Sequence, residues 1–316
     1  MGPVCPGGSP ELIAAGLIIG LSNGALIALI ALGYTLVYGI IELINFSHGD
    51  LFMLGTFMAI TVLAALGVSQ DTTTTPWLPL LVALLVAMAF CGALNVLAER
   101  IAYRRLRNAP RLAPLISAIG VSFIYVNLGL LWKGPSPVRF PDLLPQFELV
   151  SMITGVESII RFTARDFFVI FTAVPLMLGL AWVIGSTKMG KAMRAVAQDR
   201  EMALQMGIDV DRVISFTFLL GGVLAGGAAL MHGLYNGNAV FVLGFTAGLK
   251  AFTAAVLGGI GNVTGAALGG LLIGLIAAMT VTCYGGEWEN VGVFAILVLI
   301  LVFRPTGLLG EDTPER

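Results

Sequence analysis

Residues 12–32, LIAAGLIIGLSNGALIALIAL, run for 21 positions without a charged side chain. An apolar helix of about 20 residues matches the hydrocarbon thickness of a lipid bilayer. The rest of the chain has the same character, because 58% of its 316 residues are hydrophobic and only 11% are charged. A soluble globule exposes too much of its surface to hide that much apolar material. The composition therefore excludes a soluble enzyme and predicts an all-α membrane protein.

Eight stretches are clear candidates to span the membrane. They are Leu12–Leu32, Leu51–Val68, Leu78–Ala98, Leu112–Trp132, Phe167–Gly185, Val213–Met231, Thr264–Val281 and Val291–Phe303. Two shorter apolar stretches, Gly33–Ile44 and Phe245–Ile260, each contain a charged residue, namely Glu42 and Lys250. The sequence thus predicts a polytopic transmembrane helical bundle of about eight spans, with up to two broken or re-entrant segments.

Basic residues are concentrated in two loops, which sets the predicted orientation. Ten of the seventeen Lys and Arg residues lie in Glu99–Arg111 and Ser186–Arg212. Short loops rich in Lys and Arg stay in the cytoplasm, so loop 186–212 is predicted to be cytoplasmic and loop 133–166 to lie outside. The side of the N-terminus is left open, because it depends on whether Gly33–Ile44 crosses. The net charge of −1 implies no nucleic-acid partner.

The first polar motif is NFSHGD, residues 45–50, which follows Glu42 between two apolar stretches. Ionisable groups inside a membrane normally face protein or water rather than lipid. A metal site is not predicted, because His232 is the only other histidine, and no converging catalytic set is present. Two interpretations remain: a helix break capped by Asn45, Ser47 and Asp50, or a substrate path. On the second, the pathway candidates are Glu42, Asn45, His48, Asp50 and Lys250.

The second motif is the glycine-interrupted run Gly248–Asn262, which contains Lys250. Broken helices at membrane depth expose backbone groups that bind small polar solutes. Lys250 either belongs to such a path or lies at a helix end and extends toward the interface. No phosphate-binding GxxxxGK[ST] loop occurs in the sequence, so we expect no bound nucleotide or other cofactor.

The third motif is Gly190–Asp209, in the second basic loop. Its small and apolar residues recur at helical spacing on one face, and Gly207 is placed to end a helix. Such a short helix either docks in a groove of a partner protein or lies on the membrane surface. The face is poor in Trp, Phe and Leu, which favours docking.

The stretches GYTLVYGII (33–41) and INFSHGD (44–50) resemble the N-terminal signature of LivH-type permeases, the membrane subunits of branched-chain amino-acid ABC importers. The resemblance continues in order along nearly the whole chain. Further matching stretches are LISAIG (115–120), Gly190–Asp209, KAFTAAVLGGIG (250–261) and PTG (305–307).

The resemblance implies a single permease domain over residues 1–316 in the bacterial inner membrane, importing branched-chain amino acids. It implies four partners: a second homologous permease, two cytoplasmic ATPases that hydrolyse ATP, and a periplasmic amino-acid-binding protein docked on loop 133–166. Segment Gly190–Asp209 resembles the loop that couples such permeases to their ATPases. Its candidate coupling residues are Gly190, Arg194, Ala197, Asp199, Ala203 and Gly207. The alternatives are a urea or short-amide permease of the same superfamily, a passive channel, and an intramembrane enzyme.

Overall fold

The apolar stretches form helices in a computed structural model, which describes residues 10–42, 44–68, 77–107, 109–110, 112–145 and 162–310. The α-helices are α1 (Pro10–Ile41), α2 (Ser47–Ala65), α3 (Trp77–Ala98), α4 (Leu112–Lys133), α5 (Ala164–Ser186), α6 (Lys188–Gln198), α7 (Arg200–Gln205), α8 (Val210–Asn236), α9 (Leu243–Gly258), α10 (Val263–Tyr284) and α11 (Glu289–Phe303). A π-helix (Glu99–Tyr103) and a 3-10 turn (Arg104–Leu106) continue α3, and a 3-10 turn (Gly286–Trp288) precedes α11. Two short strands, β1 (Val138–Arg139) and β2 (Asn238–Ala239), pair antiparallel.

Eight helical segments of the described chain are long and apolar enough to cross a membrane, and each overlaps one predicted span. The predicted all-α bundle of eight spans is therefore confirmed. Helices satisfy every backbone hydrogen bond internally, which lipid requires. Large apolar side chains such as Leu131, Phe171 and Phe303 are exposed around the bundle, as expected of surfaces that face lipid.

The stretch Gly33–Ile44 neither crosses separately nor re-enters. Residues 33–41 continue α1, which has 32 residues and is about 48 Å long at 1.5 Å per residue. Glu42 then adopts a φ of 53°, a left-handed conformation that is uncommon outside glycine and reverses the chain direction. The sequence left open whether this stretch crosses or re-enters, and the structure joins its residues 33–41 to the first span because Gly33 and its neighbours keep the helical conformation.

Close glycine packing joins α1 to α10. A Cβ atom on Gly274 would lie 2.2 Å from the Cα atom of Gly24, so the two backbones touch at this point. Small residues allow such approach, and in lipid this packing holds helices together. Gly16 lies beside Thr282 and Gly39 lies beside Gly261, so the two helices are antiparallel and α1 ends where α10 begins.

Both basic loops lie at the same end of the bundle, which we call the basic end. Backbone N–H groups of Leu308 and Leu309 donate there to the carbonyls of Leu257 and Gly258, at 2.8 and 3.0 Å. The segment that follows α11 is thus fixed to the end of α9.

The paired strands lie at the opposite end of the bundle, where α1 also starts. Helix α9 runs from β2 to the basic end, and its 16 residues cover about 24 Å.

Candidate functional site

Helix α2 begins inside the bundle rather than at its surface. A Cβ atom on Gly33 would meet the imidazole of His48, although α1 continues for eight more residues, about 12 Å, before it ends. Ser47, His48 and Asp50 in the first turn of α2 are all buried. The N-cap residue of α2 is Phe46, and no side chain accepts a capping hydrogen bond from the backbone there. The predicted helix break is present, but the predicted capping by Asn45, Ser47 and Asp50 is wrong. The N-terminus of α2 therefore places polar groups deep in the protein.

Asp50 is the charged group of this turn, and only half of its carboxylate is satisfied. Ser122 on α4 donates to Oδ2 at 2.5 Å, whereas Oδ1 is buried without a hydrogen-bond partner among the described residues. The side chain is only 2% exposed. The positive end of the α2 dipole favours a carboxylate at this position. An unpaired buried carboxylate oxygen is nevertheless costly, and it is therefore a candidate to bind a ligand cation.

Glycines bring α9 against Asp50. A Cβ atom on Gly244 would lie 2.3 Å from Oδ1 of Asp50, and one on Gly49 would lie 2.3 Å from the carbonyl oxygen of Gly244. Gly248, one turn later, lies against the hydroxyl of Tyr34. The N-terminal turn of α9 thus faces the N-terminal turn of α2 across a few ångströms.

A cavity of about 530 Å³ opens beside these two turns, between α4 and α9. We call it the Asp50 cavity. Its walls are largely apolar and include Phe46, Phe123, Leu249 and Phe252, while Asp50 is the only residue with a formal charge among the described lining residues. Cavities of this size that combine apolar walls with a few polar groups are typical small-molecule sites.

His48 lies directly behind the cavity. Its ring packs edge-on against Tyr34, with 5.0 Å between the ring centroids, and neither ring nitrogen has a hydrogen-bond partner in the described structure. The hydroxyl of Thr35 is also buried and unpartnered. His48 is not a lining residue of the cavity; it fixes the position of Tyr34, which is one.

Asn45 belongs to a separate polar cluster on the basic side of α2. Its Oδ1 atom accepts hydrogen bonds from Ser47 at 2.7 Å and from Tyr103 at 2.8 Å. Asn95 on α3 lies 3.4 Å from Nδ2 of Asn45 and itself donates to the carbonyl of Phe218 at 2.7 Å. The cluster ties the start of α2 to α3 and α8.

Glu42 and Lys250 lie away from the Asp50 cavity. Glu42 is exposed at the basic end and lines a second cavity. Lys250 forms an ion pair with Glu289 at the start of α11, with Nζ and Oε1 separated by 2.6 Å. Of the five predicted pathway residues, Asp50 lines the Asp50 cavity, His48 and Asn45 support its surroundings, and the remaining two occupy other places.

The second cavity, of about 490 Å³, is a cleft at the basic end between α6–α7, the end of α1 and Tyr103. We call it the basic-end cleft. Arg107, which lines it, is almost fully buried and pairs with Glu99 and with Asp211. Arg104 pairs with the same Asp211, and Ser215 donates to Glu99 at 2.7 Å. This ionic cluster holds the end of α3 against the start of α8.

Segment Gly190–Asp209 forms two helices rather than the predicted single one. Asp199 adopts an extended conformation, and its side chain accepts from the N–H groups of Glu201 and Met202, which caps α7. The predicted stop at Gly207 is confirmed, with a φ of 80°. Asp is among the strongest N-capping residues, so this break had a signal in the sequence.

The six predicted coupling residues occupy different places in this segment. Gly190 and Arg194 hold α6 against the carbonyls at the end of α5. Ala197 and Asp199 line the basic-end cleft, whereas Ala203 is only 4% exposed and points into the protein. The exposed large apolar side chains of this segment are Met202, Leu204 and Met206, and Met206 is 82% exposed.

Sequence reasoning missed Ser122, Tyr34 and Tyr103 as site residues. Ser122 is a polar side chain within an apolar span, a signal that could have been weighed with the same argument as Asp50. Tyr103 carries no such signal, because its partners Asn45 and Ser47 are more than 50 positions away along the chain.

A family model described as branched-chain amino acid transport system, permease component, matches residues 16–303. The high-affinity branched-chain amino acid transport system permease protein BraD of Pseudomonas aeruginosa is 42% identical, over 95% of this chain and 96% of its own. LivH of Salmonella typhimurium is 41% identical, and LivH of Escherichia coli K12 is 40% identical, each over 94% of this chain and 95% of the relative. The resemblance predicted from the sequence motifs is confirmed.

Proposed function

The chain belongs to the family of branched-chain amino acid transport system permease components, and on that premise we propose that its substrate is held in the Asp50 cavity during import. The chain is a multi-pass inner-membrane transport component, not an enzyme. The relatives' names specify branched-chain amino acids, and we assign the same substrate class to this chain.

The observation that carries the proposal is the half-satisfied carboxylate of Asp50, a residue that lines an apolar cavity and whose Oδ1 has no hydrogen-bond partner among the described residues. The ammonium group of an amino acid would supply the missing hydrogen bond, and charge-assisted bonds of this kind are the strong ones. The N-terminal turn of α9, beside the same oxygen, favours the substrate carboxylate because the positive end of its helix dipole lies there. The branched alkyl group would contact Phe46, Phe123 and Phe252.

The wall chemistry argues against urea or a short amide as the substrate. Urea has no apolar part, and each of its polar groups would need a hydrogen-bond partner once it left water. The described walls offer mainly aromatic and aliphatic carbon. A branched aliphatic side chain gains free energy on contact with such walls, at about 25 cal/mol per Å² of buried apolar area.

Transport is driven, we propose, from the basic end, which the positive-inside rule assigns to the cytoplasm. Segment Gly190–Asp209 would dock into ATPase partner subunits, two per complex, that hydrolyse the ATP. Its exposed Met202, Leu204 and Met206 support docking, because Met side chains adapt to a partner groove. A passive channel would need no such segment. The basic-end cleft beside α6–α7 is the exit side of the path in this proposal.

A second permease subunit would close the side of the Asp50 cavity that opens between α4 and α9. Ile119, Phe123 and Phe245 are exposed at this opening. Lipid would enter the cavity there unless another subunit covered the opening. A homologous permease is the partner that we propose, and a periplasmic binding protein would deliver the substrate at the opposite end, over loop 133–166.

Uptake by the complex in liposomes tests this function. The permease is assembled with its partner permease, ATPases and binding protein, and the import of radiolabelled leucine is compared with that of radiolabelled urea. We expect ATP-dependent leucine uptake that unlabelled isoleucine and valine inhibit, and no urea uptake. ATP-dependent urea uptake without leucine uptake would overturn the assignment.

A further inference from the structure

Tyr103 lies between the Asp50 cavity and the basic-end cleft. Its hydroxyl donates to Asn45 at 2.8 Å and lies 3.0 Å from Oγ of Ser47, so it contacts both residues that flank the start of α2. Tyr103 also lines the basic-end cleft. Asp50, one helical turn beyond Ser47, lines the other cavity. No described residue lines both cavities.

The barrier between the cavities is polar and tightly closed. Asn45, Ser47 and Tyr103 are each 1% exposed, and Oδ1 of Asn45 accepts two hydrogen bonds within the cluster. The ring of Tyr103 packs against Phe218 of α8, with 5.7 Å between the ring centroids. A cluster of hydroxyl and amide groups can open reversibly, because water forms a new hydrogen bond with each group whose bond within the cluster is broken.

The backbone at Tyr103 departs from regular α-helical geometry. Tyr103 is the last residue of the π-helix Glu99–Tyr103. A single π-helical turn within an α-helix is rare and is frequently found at functional sites. The first residue of this π-helix, Glu99, pairs with Arg107, and both Arg107 and Tyr103 line the basic-end cleft opposite residues 196–201 of the α6–α7 segment. Tyr103 therefore faces the cleft that this segment borders, whereas no described residue of α2 lines it.

We propose that Tyr103, held by Asn45 and Ser47, is the inner gate that separates the Asp50 cavity from the basic-end cleft. The proposal rests on the proposed function, because it takes the two cavities as successive parts of one transport path. Tyr103 acts as a positioning residue: its hydroxyl fixes the start of α2, and its ring fills the passage. Movement of α6–α7 opens the path when it breaks the bonds to Asn45 and Ser47.

Access from the basic end tests the gate directly. Leu249, which lines the Asp50 cavity, is replaced by Cys in a variant whose native Cys5, Cys91 and Cys283 are replaced by Ala. Inside-out vesicles that contain the nucleotide-free complex are treated with a membrane-impermeant thiol reagent. With Tyr103→Phe added, which keeps the ring and removes the hydroxyl, we expect labelling to be at least threefold faster. Ser47→Ala should act in the same direction.

Tyr125→Phe is the matched control. Tyr125 is also a buried tyrosine that donates one hydrogen bond to α3, to the carbonyl of Leu94 at 3.2 Å, but it lines neither cavity. The gate predicts wild-type labelling for this variant. In the complex with native cysteines, the gate also predicts that Tyr103→Phe consumes at least twice as much ATP per imported leucine.

Unchanged labelling in both Tyr103→Phe and Ser47→Ala would overturn the gate, as would equal acceleration by Tyr125→Phe. A failure of the proposed function would show in leucine uptake rather than in labelling. Full leucine uptake by Asp50→Asn would remove the binding role of the cavity, yet the labelling of Leu249→Cys would still decide whether Tyr103 controls access. Circular dichroism and thermal melting of each variant show that it is folded.

Discussion

Ser122 on α4 donates a hydrogen bond to one carboxylate oxygen of Asp50 on α2, and the other oxygen remains buried without a partner in the described structure. The bond connects two helices across 72 positions of sequence. It fixes the carboxylate of a residue that lines an apolar cavity, and the free oxygen lies against Gly244 in the N-terminal turn of α9. This half-satisfied carboxylate is the basis of the proposed substrate site.

Replacement of Ser122 by Ala should slow transport without changing the apparent substrate affinity. The variant removes a hydrogen bond to a charged group, which contributes about 1.5–3 kcal/mol, so we expect the maximal rate of leucine uptake to fall about tenfold. The concentration for half-maximal uptake should stay the same, because the binding protein sets it. Ser122→Thr, which keeps a hydroxyl, should retain most of the rate. Equal rates for Ser122→Ala and wild type would contradict the role of this bond.

Gly244 should not tolerate a side chain. Gly244→Ala would place a Cβ atom 2.3 Å from Oδ1 of Asp50, and overpacking of this kind costs about 1–3 kcal/mol. We expect a lower melting temperature and a loss of leucine uptake. The matched control is Gly179→Ala, within α5, where no atom lies within 4 Å of the new Cβ and where Ala is favoured over Gly by up to about 1 kcal/mol. A melting temperature for Gly244→Ala at or above that of wild type would show that the packing is looser than described.

Lys250 should contribute to stability through Glu289 rather than to the transport path. Lys250→Met or Glu289→Gln alone leaves a partly buried charge without its partner, at a cost on the order of 1 kcal/mol, between the values for exposed and fully buried pairs. The double variant Lys250→Met/Glu289→Gln should recover most of the loss in melting temperature and should transport leucine at the wild-type rate. Loss of transport by a stable double variant would return Lys250 to the substrate path.

These results separate what the sequence could predict from what it could not. The spans were predictable, because each is an apolar run of about bilayer length. The end of α7 before Gly207 was also predictable, because glycine readily adopts the left-handed conformation that follows a helix. The prediction of the pathway residues rests on the rarity of polar and charged groups beside or within apolar stretches. That criterion finds Asp50, but it cannot distinguish it from Glu42 or Lys250, whose side chains contact other parts of the fold.

The sequence could not predict which side chains that lie far apart along the chain would meet, and the reason is physical. Ser122 meets Asp50, and Tyr103 meets Asn45, only after the helices have packed, and no local pattern records that packing. Ala203 shows the same limit: the helical spacing placed it on the docking face, but the break at Asp199 rotates it inward. Met206, three residues later, is exposed instead.

Met206 should therefore be a docking contact of the α6–α7 segment. Met206→Glu replaces an exposed apolar side chain with a charge, and we expect ATP hydrolysis in the assembled complex to lose most of its stimulation by leucine-loaded binding protein. Gln205→Glu adds the same charge at the neighbouring exposed position and should retain at least half of the stimulation. If Met206→Glu hydrolyses ATP with full stimulation, this surface does not contact the ATPase.

The most direct test of the central claim is the initial rate of ATP-driven leucine uptake by Asp50→Asn in the reconstituted complex. The amide keeps the shape of the side chain but removes the charge that would pair with the substrate ammonium. Glu287→Gln is the matched control, because it also replaces a carboxylate by the amide of the same shape, at an exposed position before α11. We predict that Asp50→Asn retains less than one tenth of the wild-type rate and that Glu287→Gln retains nearly all of it. A wild-type rate for folded, assembled Asp50→Asn would contradict the claim that Asp50 holds the substrate.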